Sequence, residues 1–274
     1  MIDKPLDFNL ELLKKFPHEP TVKQGKLLAL LSAFIFNTDK DALFLLKGYA
    51  GTGKTTTIGT FVNSLGAAGR KSVLLAPTGR AAKVIALYAK KPAFTIHKKI
   101  YFPKKQSNGA ITFVLQPNKH TNTIFIVDEA SMIPDGKQNQ QLFDASSLLD
   151  DLLSYVYAGV NCKLIFIGDT AQLPPVKLEV SPALEEDTLT YDYHKTVTGI
   201  ELDEVMRQHE DSGILANATA LRFLLKKEGD RFQFDIDFTD IVRLEDGYDI
   251  EERDKDGWNR DGYDEFGFNT NGIN

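Results

Sequence analysis

The chain has 274 residues, 42% of them hydrophobic, which is enough for one sizeable core and a small second unit. Its one cysteine, Cys162, excludes an internal disulfide framework, and the N-terminus lacks the basic and apolar regions of a signal peptide, so we expect a reducing, cytoplasmic location. The net charge is −6, and no apolar run approaches the roughly 20 residues that cross a bilayer, so we expect no membrane partner.

Residues 1–19 contain several prolines and predict a loose lead-in. Thr21 can cap a helix in which apolar side chains recur at helical spacing as far as Phe34. Gln24 lies in the first turn of this helix. Taken alone, a glutamine in that position would be an exposed surface side chain.

The apolar run 42–47 ends in Gly48-Tyr-Ala-Gly-Thr-Gly-Lys-Thr55, and a stretch compatible with a helix follows. A buried strand, a glycine turn and a helix N-terminus are the context in which this pattern binds phosphate. The glycines let successive N–H groups point at an anion, and the helix dipole adds to the attraction. Lys54 would reach the β- and γ-phosphates, and the Thr55 hydroxyl would bind Mg²⁺. The alternative is a glycine turn that binds nothing.

Four short apolar runs are typical of parallel strands covered on both faces: 42–47, 72–76, 123–127 and 163–167. Helical stretches alternate with them, at about 55–65, 79–90 and 141–157. This alternation indicates repeated βαβ units. We predict an α/β fold with a doubly wound, mostly parallel sheet flanked by helices, which binds ligands at the carboxyl ends of its strands.

Residues 42–127 carry 13 Lys and Arg side chains and no Asp or Glu, whereas residues 128–274 carry 13 basic and 32 acidic side chains. Thirteen cations are more than one nucleotide needs, so we predict a polyanion as a second ligand. The alternative is a solvated basic face.

A cluster of lysines follows Thr95-Ile-His97, with Tyr101 and Phe102 among them. Cations that follow a backbone and rings that stack on bases suit single-stranded nucleic acid. Alternatively, the two aromatic rings pack into the core, and His97 is structural.

The run 123–127 ends in Asp128-Glu129, two carboxylates at the end of a buried strand. Asp128 would hold Mg²⁺ through its water shell, and Glu129 would orient and deprotonate the attacking water. Gln172, in the loop after the fourth run, could reach a γ-phosphate or this water, and Arg207 could stabilise charge on the transferred phosphoryl group. The alternatives are ordinary turn residues and a solvated arginine.

The chain resembles the first motor domain of superfamily 1 DNA helicases, closest to the RecD-like and Dda-like branch. The motifs that carry this resemblance appear in order: Gln24, the loop 48–55, Ala-Pro-Thr-Gly-Arg-Ala-Ala-Lys at 76–83, Thr-Ile-His at 95–97, Asp-Glu-Ala-Ser at 128–131, Gly-Asp-x-x-Gln-Leu-Pro-Pro-Val at 168–176 and Val-Met-Arg-Gln at 205–208. The resemblance implies a RecA-like P-loop fold over about residues 20–228, Mg²⁺ and ATP as cofactors, and 5′ to 3′ movement on single-stranded DNA.

The resemblance also implies roles for particular residues. Gln24 matches a glutamine that reads adenine, Gln172 a residue that couples the γ-phosphate to the grip on DNA, and Arg207 an arginine that contacts the γ-phosphate. The nucleotide is expected on Gln24, Gly48, Ala50, Gly51, Thr52, Gly53, Lys54, Thr55 and Thr56. DNA contacts are expected from Pro77, Thr78, Arg80, Lys83, Thr95, His97 and Lys98.

Helicases of this kind have two motor domains, but only 67 residues follow Arg207. A second α/β lobe of about 150 residues does not fit there. We therefore expect a single motor lobe that needs a second motor domain or another protein in trans. The alternatives are a nucleotide- and DNA-binding module with little catalysis, and a P-loop enzyme acting on a small molecule.

The segment 229–274 is acidic and contains a five-residue repeat of Gly, an aromatic or Ile, and Asp or Asn. A calcium-binding loop does not fit its register, because Tyr263 stands where the loop requires Glu. We expect a disordered tail.

Overall fold

The computed structural model describes residues 2–105, 109, 111–134, 147–172, 175, 178, 180–204, 217, 220 and 221. The chain divides into two units, Met1–Val205 and Met206–Asn274. Nearly all of the described residues belong to the first unit, and the elements below are its elements. The predicted tail 229–274 and Arg207 lie outside the described residues.

The strands, numbered in chain order, are β1 (Ala42–Gly48), β2 (Lys71–Ala76), β3 (Ala93–Thr95), β4 (Tyr101–Lys105), β5 (Ile111–Leu115), β6 (Thr123–Val127), β7 (Lys163–Gly168) and β8 (Thr196–Leu202). Six of them form a parallel sheet in the order β3-β2-β6-β7-β1-β8. β4 and β5 pair as a separate antiparallel hairpin. The four strands predicted from apolar runs are the four inner strands of the sheet.

The helices are α1 (Pro5–Lys15), α2 (Val22–Phe36), α3 (Lys54–Ser64), α4 (Gly79–Ala89), α5 (Ile96–Ile100) and α6 (Leu148–Tyr157). Thr21 caps α2 as predicted, accepting a hydrogen bond from the backbone N–H of Gln24. α6 begins after a capping box formed by Ser147 and Asp150, so the described part of this helix starts later than the predicted residue 141. None of the helices among the described residues is both long and apolar enough for a membrane crossing.

Side chains of each inner strand alternate between two buried layers. On β1, Phe44 and Leu46 join a core with α1 to α4, whereas Leu43 and Leu45 join a core with α5 and α6. Helices therefore cover both faces of the sheet, which explains why the inner strands are apolar throughout. The predicted doubly wound α/β architecture is confirmed.

The expectation of a loose lead-in over residues 1–19 is wrong for most of that segment. Pro5 stands in the first turn of α1, where its missing N–H costs no helical hydrogen bond. Phe8 and Leu12 are fully buried, and the Phe8 ring packs edge-on against Phe61 of α3 at 6.2 Å between centroids. The prolines mark the ends of a docked helix rather than a flexible segment.

Candidate nucleotide-binding site

The loop between β1 and α3 has the backbone of an anion cradle. Gly51 and Gly53 have backbone φ angles of 79° and 82°, which residues other than glycine rarely adopt. Gly53 is also the N-cap of α3, so the loop leads directly into the N-terminal N–H groups of a helix. The Lys54 ammonium donates to the carbonyl oxygens of Gly48 and Tyr49 and therefore lies over the loop.

Neighbouring backbone restricts the start of this loop. A Cβ on Gly48 would lie 2.9 Å from the carbonyl oxygen of Leu202 and 3.2 Å from the Thr52 hydroxyl. The Thr52 hydroxyl donates to the carbonyl of Tyr49 at 2.8 Å, and Thr52 is 1% exposed. The loop thus packs against the end of β8, and the hydrogen bond from Thr52 to Tyr49 stabilises it from within.

The strand order brings the distant motifs to one edge of the sheet. β7 lies between β1 and β6, and the register pairs Lys47 with Gly168 and Val127 with Phe166. The residues after these three strands therefore emerge side by side. In sequence they are the phosphate-binding loop, the acidic pair and the loop that contains Gln172.

Asp128, Lys54 and Thr55 lie close together, since all three line one small cavity of about 10 Å³. Burial raises the pKa of Asp128 to about 6, the negative charge of Glu129 adds to the rise, and Lys54 opposes it. The part of the chain that the structure describes has no cluster of three His, Cys, Asp or Glu side chains that could hold a metal alone. Thr55 and Asp128 nevertheless fit Mg²⁺, because Mg²⁺ beside a nucleotide takes most of its ligands from phosphate and water.

Glu129 lies in an adjoining cleft of about 600 Å³, whose lining includes Thr78, Arg80, Asp128 and Gln172. Its backbone is left-handed, with φ of 55°, and its N–H donates to the Asp128 carboxylate at 3.0 Å. An acidic residue in this conformation is uncommon and needs local support. Asp128 thus lines both the small cavity and the cleft, and Glu129 lines the cleft.

Ser131, in the Asp-Glu-Ala-Ser motif, makes a contact for which no role is predicted above. It is buried, and its hydroxyl donates to the side-chain oxygen of Gln172 at 2.9 Å. Gln172 itself is exposed, so this bond fixes the amide at the rim of the cleft. The signal in the sequence was the position of Ser131, two residues after Glu129 in a tight turn.

The predicted DNA-contact residues gather at the carboxyl ends of β2 and β3. The register pairs Ala76 with Thr95, which places Pro77-Thr78 beside the start of α5. Thr78 caps α4 and Thr95 caps α5, at 3.2 and 3.3 Å from the N–H groups of Ala81 and Lys98. Three of the residues predicted to contact DNA are exposed cations: Arg80, Lys83 and Lys98.

The two aromatic residues of the basic cluster have different environments. Tyr101 is buried, and its hydroxyl donates to Asp151 at 2.6 Å. Phe102 is 40% exposed and lies on the hairpin beside the exposed Lys104. The core interpretation therefore holds for Tyr101, and only Phe102 is available for stacking on a base.

Some cations of the acid-free stretch are structural. Arg70 donates to the carbonyl of Ile35, Lys91 donates to the carbonyl of Val62, and the Lys99 ammonium lies 5.6 Å from the centroid of a phenylalanine ring. Burial lowers the pKa of all three side chains. The charge available to a polyanion is therefore smaller than the count of 13 indicates.

Replacing Asp128 by Asn is expected to stabilise the nucleotide-free fold at pH 8. The raised pKa means that the folded protein holds the Asp128 proton more tightly than the unfolded chain, so stability falls as pH rises from about 4 to about 6 and stays lower above it. Asn avoids this cost, and we expect a gain of about 2 kcal/mol at pH 8 that vanishes near pH 4. Urea denaturation in EDTA at both pH values measures it, and an equal effect at the two pH values would contradict the assignment.

A family model described as "AAA domain" matches residues 33–223. The ATP-dependent RecD2 DNA helicase of Deinococcus radiodurans is 33% identical over 135 residues, covering 49% of this chain and 16% of that protein. The ATP-dependent DNA helicase Dda of Enterobacteria phage T4 is 29% identical over 169 residues, covering 60% of this chain and 34% of that protein. The chain thus spans about a third or less of the length of either helicase.

Among solved structures, the Pif1 helicase from Bacteroides in complex with ADP-AlF3 and ssDNA is 19% identical with a TM-score of 0.44, covering 80% of this chain and 52% of that chain. The family match and the two relatives confirm the predicted resemblance to superfamily 1 helicases.

Proposed function

This chain belongs to the AAA domain family, and from that premise we propose that it is the ATP-hydrolysing motor domain of a superfamily 1 DNA helicase. The observation that carries the proposal is the glycine loop that leads into the N-terminus of α3, with Thr55 and Asp128 beside it and Glu129 in the adjoining cleft. These are the groups that phosphoryl transfer to water requires: a phosphate cradle, metal ligands and a base.

In this proposal the loop 48–55 and Thr56 hold the triphosphate, and Thr55 and Asp128 hold Mg²⁺. The metal, when bound, neutralises charge that develops on the phosphate oxygens. Glu129 accepts the proton of the attacking water, and Gln172 senses whether the γ-phosphate is present. Arg207 contacts the γ-phosphate.

The proposed DNA surface comprises Pro77, Thr78, Arg80, Lys83, Thr95, His97 and Lys98. All of these residues lie on β2, β3, α4 and α5 or directly beside them, and the exposed members are cations. Cations at this corner suit the phosphate backbone of single-stranded DNA. We propose that residues 20–228 form the motor domain and that movement is 5′ to 3′.

We also propose that unwinding needs a second motor domain or a partner in trans, because the chain spans only a fraction of its helicase relatives. The same observation favours a second candidate function, a nucleotide- and DNA-binding module with little turnover of its own. Phosphate release by the chain, measured with and without single-stranded DNA, separates the two. DNA-stimulated release supports the motor, and tight binding without release supports the module.

Removing the charges of Lys83 and Lys98 together is expected to weaken the binding of single-stranded DNA. A plot of the logarithm of the association constant against the logarithm of the salt concentration should become shallower, by about one to two released counterions. The double substitution to Ala removes two exposed charges near the carboxyl ends of β2 and β3. The matched control replaces Lys40 and Lys71, which are exposed near the starts of β1 and β2, at the end of the strands opposite to the proposed DNA surface. Fluorescence anisotropy across a salt series measures both. An equal loss in the control would place DNA elsewhere.

A further inference from the structure

The first turn of α4 lies between the proposed DNA surface and the proposed base, Glu129. β2 pairs with β6 in a register that puts Leu75 opposite Val127, and the backbone N–H of Asp128 donates to the carbonyl of Leu75 at 3.0 Å. α4 begins at Gly79, shortly after β2 ends. The backbone alone therefore brings the start of α4 beside the turn that carries Glu129.

One face of α4 forms a wall of the cleft that contains Glu129. Ala81 and Val84 line this cleft together with Arg80, whereas Ile85 is buried in the core. Arg80 and Val84 are separated by one helical turn and therefore share a face of the helix. Because the side chain of Ala81 is a single methyl group, its place in the lining shows that this face is directed at the cleft, whatever conformation the Arg80 side chain takes.

Arg80 is the one cation among the described residues that line this cleft, and the lining also contains the carboxylates of Asp128 and Glu129. Asp128 lies beside Lys54 as well, because both line the small cavity at the phosphate-binding loop. Asp128 is thus shared with that lysine, which leaves Glu129 as the carboxylate for Arg80 to pair with.

Buried neighbours fix the backbone of Glu129. The hydroxyl of Ser181, which is 1% exposed, shares its hydrogen between the carbonyl oxygens of Ala130 and Ile133, at 2.9 and 2.7 Å. These contacts hold the turn in which Glu129 has its left-handed backbone. An exchange of partners therefore requires movement of side chains only, and the Arg80 side chain is long and exposed.

A guanidinium group forms the same paired hydrogen bonds with a carboxylate as with a phosphate. The Arg80 guanidinium can therefore bind Glu129 in the absence of DNA, or the DNA backbone when a strand lies on the proposed surface. While Glu129 is held in an ion pair, the carboxylate oxygen that must accept the proton of the attacking water is occupied. A DNA phosphate that draws Arg80 away frees this oxygen.

We propose that Arg80 is a positioning residue that couples the DNA surface to ATP hydrolysis: it pairs with Glu129 when DNA is absent and releases Glu129 when single-stranded DNA binds the guanidinium. This inference rests on the proposed function, and it gives Arg80 a role beyond that of a DNA contact.

The test measures kcat and KM for ATP on the full chain, without DNA and across a concentration series of a thymidine oligonucleotide. Arg80→Gln removes the charge and keeps a polar side chain. We expect its kcat without DNA to rise by about twofold to fivefold, since exposed ion pairs are weak. The rate at saturating DNA should equal that of the wild type, so the stimulation by DNA falls by the same factor. KM for ATP should not change, because Arg80 lies outside the phosphate-binding loop.

Lys90→Gln is the matched control, because Lys90 is an exposed cation at the other end of the same helix. It is expected to leave the rate without DNA and the stimulation unchanged. An unchanged rate without DNA in Arg80→Gln, with only weaker DNA binding, would make Arg80 an ordinary DNA contact and overturn the inference. A lower rate without DNA would also overturn it, because Arg80 would then assist hydrolysis. Absence of hydrolysis in the wild type and in both variants would be a failure of the proposed function itself.

Discussion

Glu129→Gln is expected to bind ATP with nearly wild-type affinity and to hydrolyse it about 10²–10⁴-fold more slowly, the usual contribution of a general base. The amide has the same shape as the carboxylate but cannot accept a proton at neutral pH. Glu129 lines the cleft next to Asp128 and is not part of the phosphate-binding loop, so the substitution separates chemistry from binding. Single-turnover hydrolysis and a nucleotide titration measure the two effects.

Glu186→Gln provides the control for this variant, since Glu186 is an exposed carboxylate in the segment before β8. It should hydrolyse ATP at the wild-type rate. Wild-type turnover in Glu129→Gln would remove Glu129 from the reaction, whereas loss of binding in that variant would indicate a structural role.

Lys54→Ala is expected to weaken Mg-ATP binding on the order of 100-fold, because charge-assisted hydrogen bonds to phosphate oxygens are lost. Turnover should fall at least as far. The Lys54 ammonium lies over the loop, against the carbonyls of Gly48 and Tyr49, and shares a cavity with Asp128. Lys40→Ala, at the opposite end of β1, is the control and should bind normally. ATP affinity that survives in Lys54→Ala would place the nucleotide elsewhere.

The sequence predicted the interior of the sheet better than its edges. β1, β2, β6 and β7 are covered on both faces and flanked by strands on both sides, so their apolar runs are continuous. β3 has three residues, and β8 mixes threonine, glycine and glutamate with apolar residues. An edge strand is partly open to solvent, and its sequence therefore resembles a loop.

Local motifs of the site were also predictable, whereas contacts between distant residues were not. The glycine turn, the Thr21 cap and the acidic pair depend on neighbours within a few residues. The bond from Gln24 to Thr52 spans 28 residues, and the bond from Ser131 to Gln172 spans 41. Both depend on how helices and loops pack on the finished sheet, and composition carries no signal for that packing.

Charge counts were informative only in part for the same reason. Arg70, Lys91 and Lys99 belong to the acid-free stretch, yet they are bound to backbone carbonyls or an aromatic ring. Long basic side chains often bury their stems and keep only the charged end near polar groups. A count of cations does not separate these residues from exposed ones such as Lys83 and Lys98.

A crystal structure of Glu129→Gln grown with Mg²⁺ and ATP tests the central claim most directly, since this variant should hold the nucleotide without consuming it. We predict the triphosphate along Gly48–Thr55, with the metal at the Thr55 hydroxyl and Asp128 within reach of its water ligands. ATP bound away from Lys54 would contradict the account. So would a metal ion whose water ligands lie out of reach of Asp128.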